Sequence, residues 1–193
     1  MLRIATEADI PAILEIYAPY VLNTTYTFEY DVPCLRSFTQ RFLDITAQFP
    51  WLVWEEEGEI LGYAYASPPY TRAAYRWCAE PSVYLKPSAH RRGLGTKLYA
   101  ALETILKEQG YQVLYALITQ ENTPSVAFHG KLGYSIRAEF PDCGFKFDRW
   151  LGVIWMEKRI IPVEIPSKFP TPWPQLRHTA QRIRDILSSL SLS

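Results

Sequence analysis

The stretch that most constrains this chain is "VYLKPSAHRRGLGTKLYAALETILKEQG", residues 83–110. A β-rich run closes at Lys86-Pro87, and a basic turn holding Gly93 and Gly95 follows. From there Leu94, Leu98, Ala101, Leu102, Ile105 and Leu106 recur on one helical face until Gly110, a residue suited to end the helix. Strand, glycine turn and one-faced helix in this order require a sheet with a helix packed on it. The first helical N–H groups have no intrahelical acceptor, and the helix dipole adds partial positive charge there. Gly93 and Gly95 allow a diphosphate close to the backbone, and Arg91 and Arg92 can add charge-assisted bonds. Two better-known phosphate motifs are excluded. A dinucleotide fingerprint needs a third glycine where Leu98 stands, and a P-loop needs four residues between its glycines and a terminal Lys-Ser/Thr. By itself a G-x-G at a helix start reads equally well as a plain loop.

The flanking sequence supplies the remaining elements. "LRIA" is a short strand, Thr6 an N-cap with Asp9 in the first turn, and Ile10, Ile13, Leu14, Tyr17 and Val21 follow with helical spacing. A second helix opens near Pro33 and carries Leu35, Phe38, Phe42 and Ile45. "WLVWEEEGEILGYAYA" predicts a hairpin about Glu57-Gly58, and the aromatic segment after it is expected to run extended to Leu85. "YQVLYALI" predicts a strand buried on both faces, and "NTPSVAFHGKLGY" a short helix stopped by Gly133. Strands fill the chain to Ile160, with a turn expected around Cys143-Gly144. Two regions are predicted: a domain over 1–160 and an appendage over 161–193. The appendage is a proline-rich arm, then a helix with Leu176, Ala180, Ile183, Leu187 and Leu190 on a narrow stripe.

Composition narrows the function classes. Twenty basic residues balance twenty acidic ones, so there is no basic field to gather nucleic acid. No apolar run is long enough for a bilayer, and the N-terminus becomes charged at once, unlike a signal peptide. Cys34, Cys78 and Cys143 are odd in number and widely spaced, and His90, His129 and His178 lack metal-ligand spacing. A cytoplasmic protein with no metal site, no membrane and no nucleic-acid partner is expected.

Here the sequence resembles a known family. "HRRGLGTKLY" is similar to the acetyl-CoA-binding motif Q/R-x-x-G-x-G/A of the GNAT superfamily, with His90 in place of the first residue. "ENTPSVAFHGKLGY" resembles the second GNAT signature, an Asn before a short helix and then L-G-F/Y. With "PWLVWE", "AYRWCAEPSVYL" and "GFKFDRW", residues 2–160 resemble the phosphinothricin and methionine sulfoximine acetyltransferase branch.

That resemblance implies an α/β (α+β) GNAT fold, a mixed, mostly antiparallel twisted sheet flanked by helices, and transfer of acetyl from acetyl-CoA to the amine of a small amino acid analogue. Spacing alone makes Glu80 a solvated strand-end carboxylate and His129 a histidine packed on a short helix; the resemblance makes Glu80 the general base and His129 a proton donor or helper base. It places the pantetheine arm beside Val83, Tyr84 and Leu85 and the diphosphate at Arg91, Arg92, Gly93, Leu94, Gly95 and Thr96. Asn122 and Ser125 suit both helix capping and pantetheine binding. Arg72 is expected to pair with a substrate carboxylate, with Phe28, Tyr75 and Trp77 as pocket walls. Relatives often carry an aspartate where this chain has Gly152. A homodimer is expected, with the C-terminal stripe docked near its interface and Arg177, Arg182 and Arg184 facing water. The alternatives are acetylation of protein N-termini or other amines, and a non-catalytic acetyl-CoA-binding module.

Overall fold

A computed structural model describes residues 1–162, 165–166, 168–176, 185 and 188. Seven strands form one sheet in the order β1-β2-β3-β4-β5-β7-β6. They are β1 (Leu2–Ile4), β2 (Trp51–Glu56), β3 (Glu59–Ser67), β4 (Cys78–Leu85), β5 (Val113–Thr119), β6 (Ser135–Lys146) and β7 (Arg149–Arg159). All neighbours are antiparallel except β4 and β5. The helices are α1 (Ile10–Asn23), α2 (Leu35–Thr46), α3 (Leu94–Gln109), α4 (Thr123–Lys131) and a short α5 (Trp173–Leu176).

Strand alternation sorts β2 between two cores. Trp51 and Val53 join Ile13, Tyr17, Val21, Phe38 and Phe42 of α1 and α2, while Leu52 and Trp54 join Leu98, Leu102 and Ile105 of α3. The stripe predicted on α3 is the buried face of that helix, and Gly110 ends it at φ 97°. Thr6 and Asp9 form the expected capping pair, and Arg3 clamps Asp9 with two bonds of 2.7 and 2.8 Å. Glu57 and Gly58 both take positive φ, as a tight hairpin between right-twisted strands requires.

Three local expectations are corrected. The turn expected at Cys143-Gly144 lies instead at Phe147-Asp148, with φ of 52° and 56°. The Cys-Gly pair sits in an irregular stretch of β6 between Phe140 and Gly144, where pairing with β7 is interrupted. The segment before β4 is not extended throughout, because Ala73–Tyr75 forms a 3₁₀ turn. Leu117 of β5 is 40% exposed, since the sheet is open on that side.

Of the appendage, residues 168–176 lie on the chain's own domain. Trp173 is buried in the α3 core, its N–H donating to the Gln48 carbonyl, while the Thr171 N–H donates to the Gln109 carbonyl. Gln109 Nε2 bridges the carbonyls of Gln48 and Thr171 at 2.8 and 2.9 Å. The predicted stripe beyond Leu176, with Ala180, Ile183, Leu187 and Leu190, and Arg177, Arg182 and Arg184 lie outside the described residues.

Candidate active site

The site begins where two strands part. β4 and β5 run parallel and pair only at Cys78–Val113 and Ala79–Leu114. Beyond Ala79 the strands separate, and a groove of about 100 Å³ opens between them. Glu80, Ser82, Val83 and Tyr84 line one wall, Ala116, Leu117 and Ile118 the other, and Tyr99, Asn122, Ser125 and His129 also border it.

The register defines which backbone groups face the groove. The Lys86 N–H donates to the Leu61 carbonyl, so residues 80, 82 and 84 bond to β3 while 81, 83 and 85 point away from it. Pro81 has no N–H, and its carbonyl accepts from the Tyr99 hydroxyl at 2.9 Å. The Leu85 carbonyl accepts from the Tyr20 hydroxyl at 2.6 Å. Val83 is left as the residue of this edge with both its N–H and C=O available to an extended ligand, the requirement for strand-like pairing.

Glu80 stands at the start of the splay, where burial pushes its carboxyl up to about 7. A carboxyl with that titration point can take a proton at neutral pH. His129 is buried on α4, where burial holds its imidazole below its ordinary value and the Ser125 carbonyl opposes this. Its Nδ1 donates to that carbonyl at 2.8 Å, and its Nε2 lies 2.7 Å from the Tyr99 hydroxyl. Asn122 caps α4, its Oδ1 accepting from the Ser125 N–H at 3.2 Å, which leaves its NH₂ for a ligand.

The other predicted cradle lies at the N-terminus of α3. No side chain caps that helix. Gly93 adopts φ 78° and a Cβ there would enter open space, whereas a Cβ on Gly95 would point inward, 3.6 Å from Leu85 and 3.7 Å from Phe128. Gly93 thus suits a close approach from outside, while Gly95 answers to helix–sheet packing. Leu94 is buried and Thr96 exposed. Arg92 is paired to Glu56 at 2.7 Å, and Arg91 makes no ion pair among the described residues. His90 is turned back, with Nε2 at 3.2 Å from the Tyr20 hydroxyl. Uncapped N–H groups, a glycine facing outward, Arg91 and the Glu56-paired Arg92 fit the diphosphate of acetyl-CoA, which would supply the activated acetyl group to the β4–β5 groove.

The four residues assigned to the substrate lie outside the lining of this groove. Arg72 is exposed ahead of the 3₁₀ turn, and Tyr75 packs on Tyr70 with ring centroids 4.3 Å apart. Trp77 stacks on Phe169 of the arm and donates to the Lys168 carbonyl. Phe28 covers Gly144, whose absent Cβ would fall 2.2 Å from the ring. Sequence reasoning missed Tyr99 and Tyr20. A phenol on an apolar helical face, as at Tyr99, needs a polar partner, and that was the available signal.

A sheet split beside a partly buried carboxyl and an anion-ready helix start define a class: enzymes that lay an extended acyl carrier between two strands. The chain matches the acetyltransferase (GNAT) domain family over residues 2–155, and it belongs to that family. It is 34% identical over 162 residues to the phosphinothricin N-acetyltransferase of Streptomyces viridochromogenes, covering 83% of this chain and 88% of that one. It is 35% identical over 164 residues to the L-methionine sulfoximine/L-methionine sulfone acetyltransferase of Pseudomonas paraeruginosa, covering 83% and 95%. The crystal structure of a phosphinothricin acetyltransferase from Sinorhizobium meliloti in complex with acetyl-CoA superposes with a TM-score of 0.83 at 33% identity, covering 88% and 94%. The chain is an acetyltransferase with acetyl-CoA as co-substrate.

Proposed function

We propose that this enzyme acetylates the primary amine of a small amino acid analogue of the phosphinothricin or methionine sulfoximine type, by direct attack. The observation that carries this reading is Glu80, a partly buried carboxyl raised to titrate near neutrality at the point where β4 and β5 part. An ammonium must lose a proton before it can attack a thioester, and Glu80 takes that proton, directly or through water. The Val83 backbone pairs with the pantetheine arm, with Tyr84 and Leu85 beside it and Asn122 and Ser125 on the facing side. The diphosphate lies on residues 91–96. The amine nitrogen then bonds to the acetyl carbon, the C–S bond breaks, and the nitrogen's second proton passes through His129 to the departing thiolate.

The names of the relatives support the substrate class. Arg72 is the proposed carboxylate partner, and Phe28, Tyr75 and Trp77 the outer walls. Since none of these four lines the groove, the proposal requires the 72–77 segment, and Phe28 on the loop beside Tyr26, to approach it when substrate or a second subunit is present. A homodimer is proposed as well. The β6–β7 hairpin exposes Ile136, Phe140, Phe145 and Trp150, the last at 62%, an apolar group of the kind that marks an interface.

The test is thiol release from acetyl-CoA with phosphinothricin, methionine sulfoximine and a peptide with a free N-terminus. Turnover with the first two alone supports the reading; turnover with the peptide alone, or with none, overturns it. Light scattering on the wild type and on Trp150→Glu tests the dimer, and a wild-type monomer would reject it.

A further inference from the structure

Tyr99 is fully buried within the apolar face of α3, yet its hydroxyl touches two groups: the Pro81 carbonyl at 2.9 Å and His129 Nε2 at 2.7 Å. On the far side of the imidazole, Nδ1 meets the Ser125 carbonyl at 2.8 Å, with the Ser125 hydroxyl at 3.3 Å. The ends of this chain are backbone carbonyls, which only accept. Three contacts therefore link Ser125 O, His129, Tyr99 and Pro81 O. With a neutral imidazole the chain holds two protons, one on Nδ1 and one on the phenol. One contact must then set two lone pairs face to face. With an imidazolium it holds three, and every contact has its donor.

We propose that Tyr99 is a positioning residue that keeps His129 able to hold a second proton despite its burial, accepting from Nε2 while donating to Pro81. This deepens the proposed function and rests on its reading of His129 as the group that handles the leaving thiolate's proton. The site has few other means to this end. Glu80 of β4 borders the groove, Glu103 of α3 is paired to Lys158 of β7 at 2.5 Å, and Tyr134 presents its ring edge-on to the imidazole at 5.1 Å. Burial acts against the cation, and the Ser125 carbonyl supports it from one side. Tyr99 supports it from the other.

The experiment is an NMR titration of the His129 ring in the ligand-free protein. Tyr99→Phe should move its titration point down by about half a pH unit or more, because a buried cation loses an acceptor. Should that variant fail to fold, 3-fluorotyrosine placed at position 99 preserves the shape while weakening the oxygen as an acceptor, and the shift should again be downward. An unchanged titration in the folded variant, or in both, overturns the proposal. The pH profile of kcat separates it from the reading beneath it. A limb that moves with the NMR value supports both; an NMR shift with an unmoved profile supports the role of Tyr99 and removes His129 from proton transfer.

Discussion

The side chain of Gln120 lies over the backbone of Gly152, so that a Cβ on Gly152 would fall 2.1 Å from Gln120 Oε1. The obstruction is the free end of a flexible side chain, which can turn aside. Gly62 offers the contrast, because its Cβ would meet the Tyr84 carbonyl oxygen at 2.9 Å as well as Leu85. That oxygen belongs to β4 and cannot move without shifting the strand. Gly152→Ala should therefore cost under about 1 kcal/mol and Gly62→Ala about 1–3 kcal/mol, as overpacking does. Denaturant unfolding of both variants checks the order.

Glu80 gives two pH-dependent readouts. Its carboxyl titrates at about 7 instead of 4.5, so kcat/KM should rise as the pH passes through that region. Glu80→Gln should lose this limb and fall in kcat by about 10²- to 10⁴-fold, with acetyl-CoA affinity nearly unchanged. A raised carboxyl pKa also means that the unfolded chain releases the proton earlier. Wild-type stability should then decline between pH 4.5 and 7, by an amount on the order of 3 kcal/mol. The Gln variant should lack that decline and be the more stable protein at pH 8. Parallel stability curves for the two proteins would mean that Glu80 is solvated.

The two glycines of the basic turn should respond differently. A methyl on Gly95 reaches ordinary contact distance from Leu85 and Phe128, while the branches of valine would press into both. Gly95→Ala should fold with small loss, and Gly95→Val should lose stability together with acetyl-CoA binding. Gly93→Ala meets open space but strains a backbone at φ 78°, costing about 1 kcal/mol. Calorimetric titration with acetyl-CoA beside thermal melts distinguishes the three.

Lys146 is 1% exposed and donates to the carbonyls of Val21, Thr24 and Thr27 at 2.7, 2.9 and 2.8 Å. It joins the end of β6 to the end of α1 and the loop that carries Tyr26 and Phe28. Lys146→Met would leave three carbonyls without this donor, so a loss on the order of 3 kcal/mol is expected. Since the loop borders the groove through Tyr26, KM for the amine should rise more than KM for acetyl-CoA. Equal changes in the two constants would make Lys146 a matter of stability alone.

The sequence by itself determined the elements whose signals are local. The α3 stripe, its Gly110 stop, the Glu57-Gly58 hairpin and the Thr6–Asp9 capping pair follow from periodicity and backbone preference over a few residues. The GNAT family was legible in the same way, in ordered motifs rather than in composition. The Cys143-Gly144 turn was misplaced because a glycine in a strand signals a turn and a bulge alike, and only pairing with β7 separates them. Tertiary structure alone decided that β4 and β5 part after two residue pairs, that Tyr99 meets both Pro81 and His129, and that Trp173 bonds to Gln48 and Thr171 to Gln109. These contacts join residues 18 to 125 positions apart, counting Lys146 with Val21. No local preference encodes such a meeting; it exists only once the sheet has brought distant backbones to hydrogen-bonding distance.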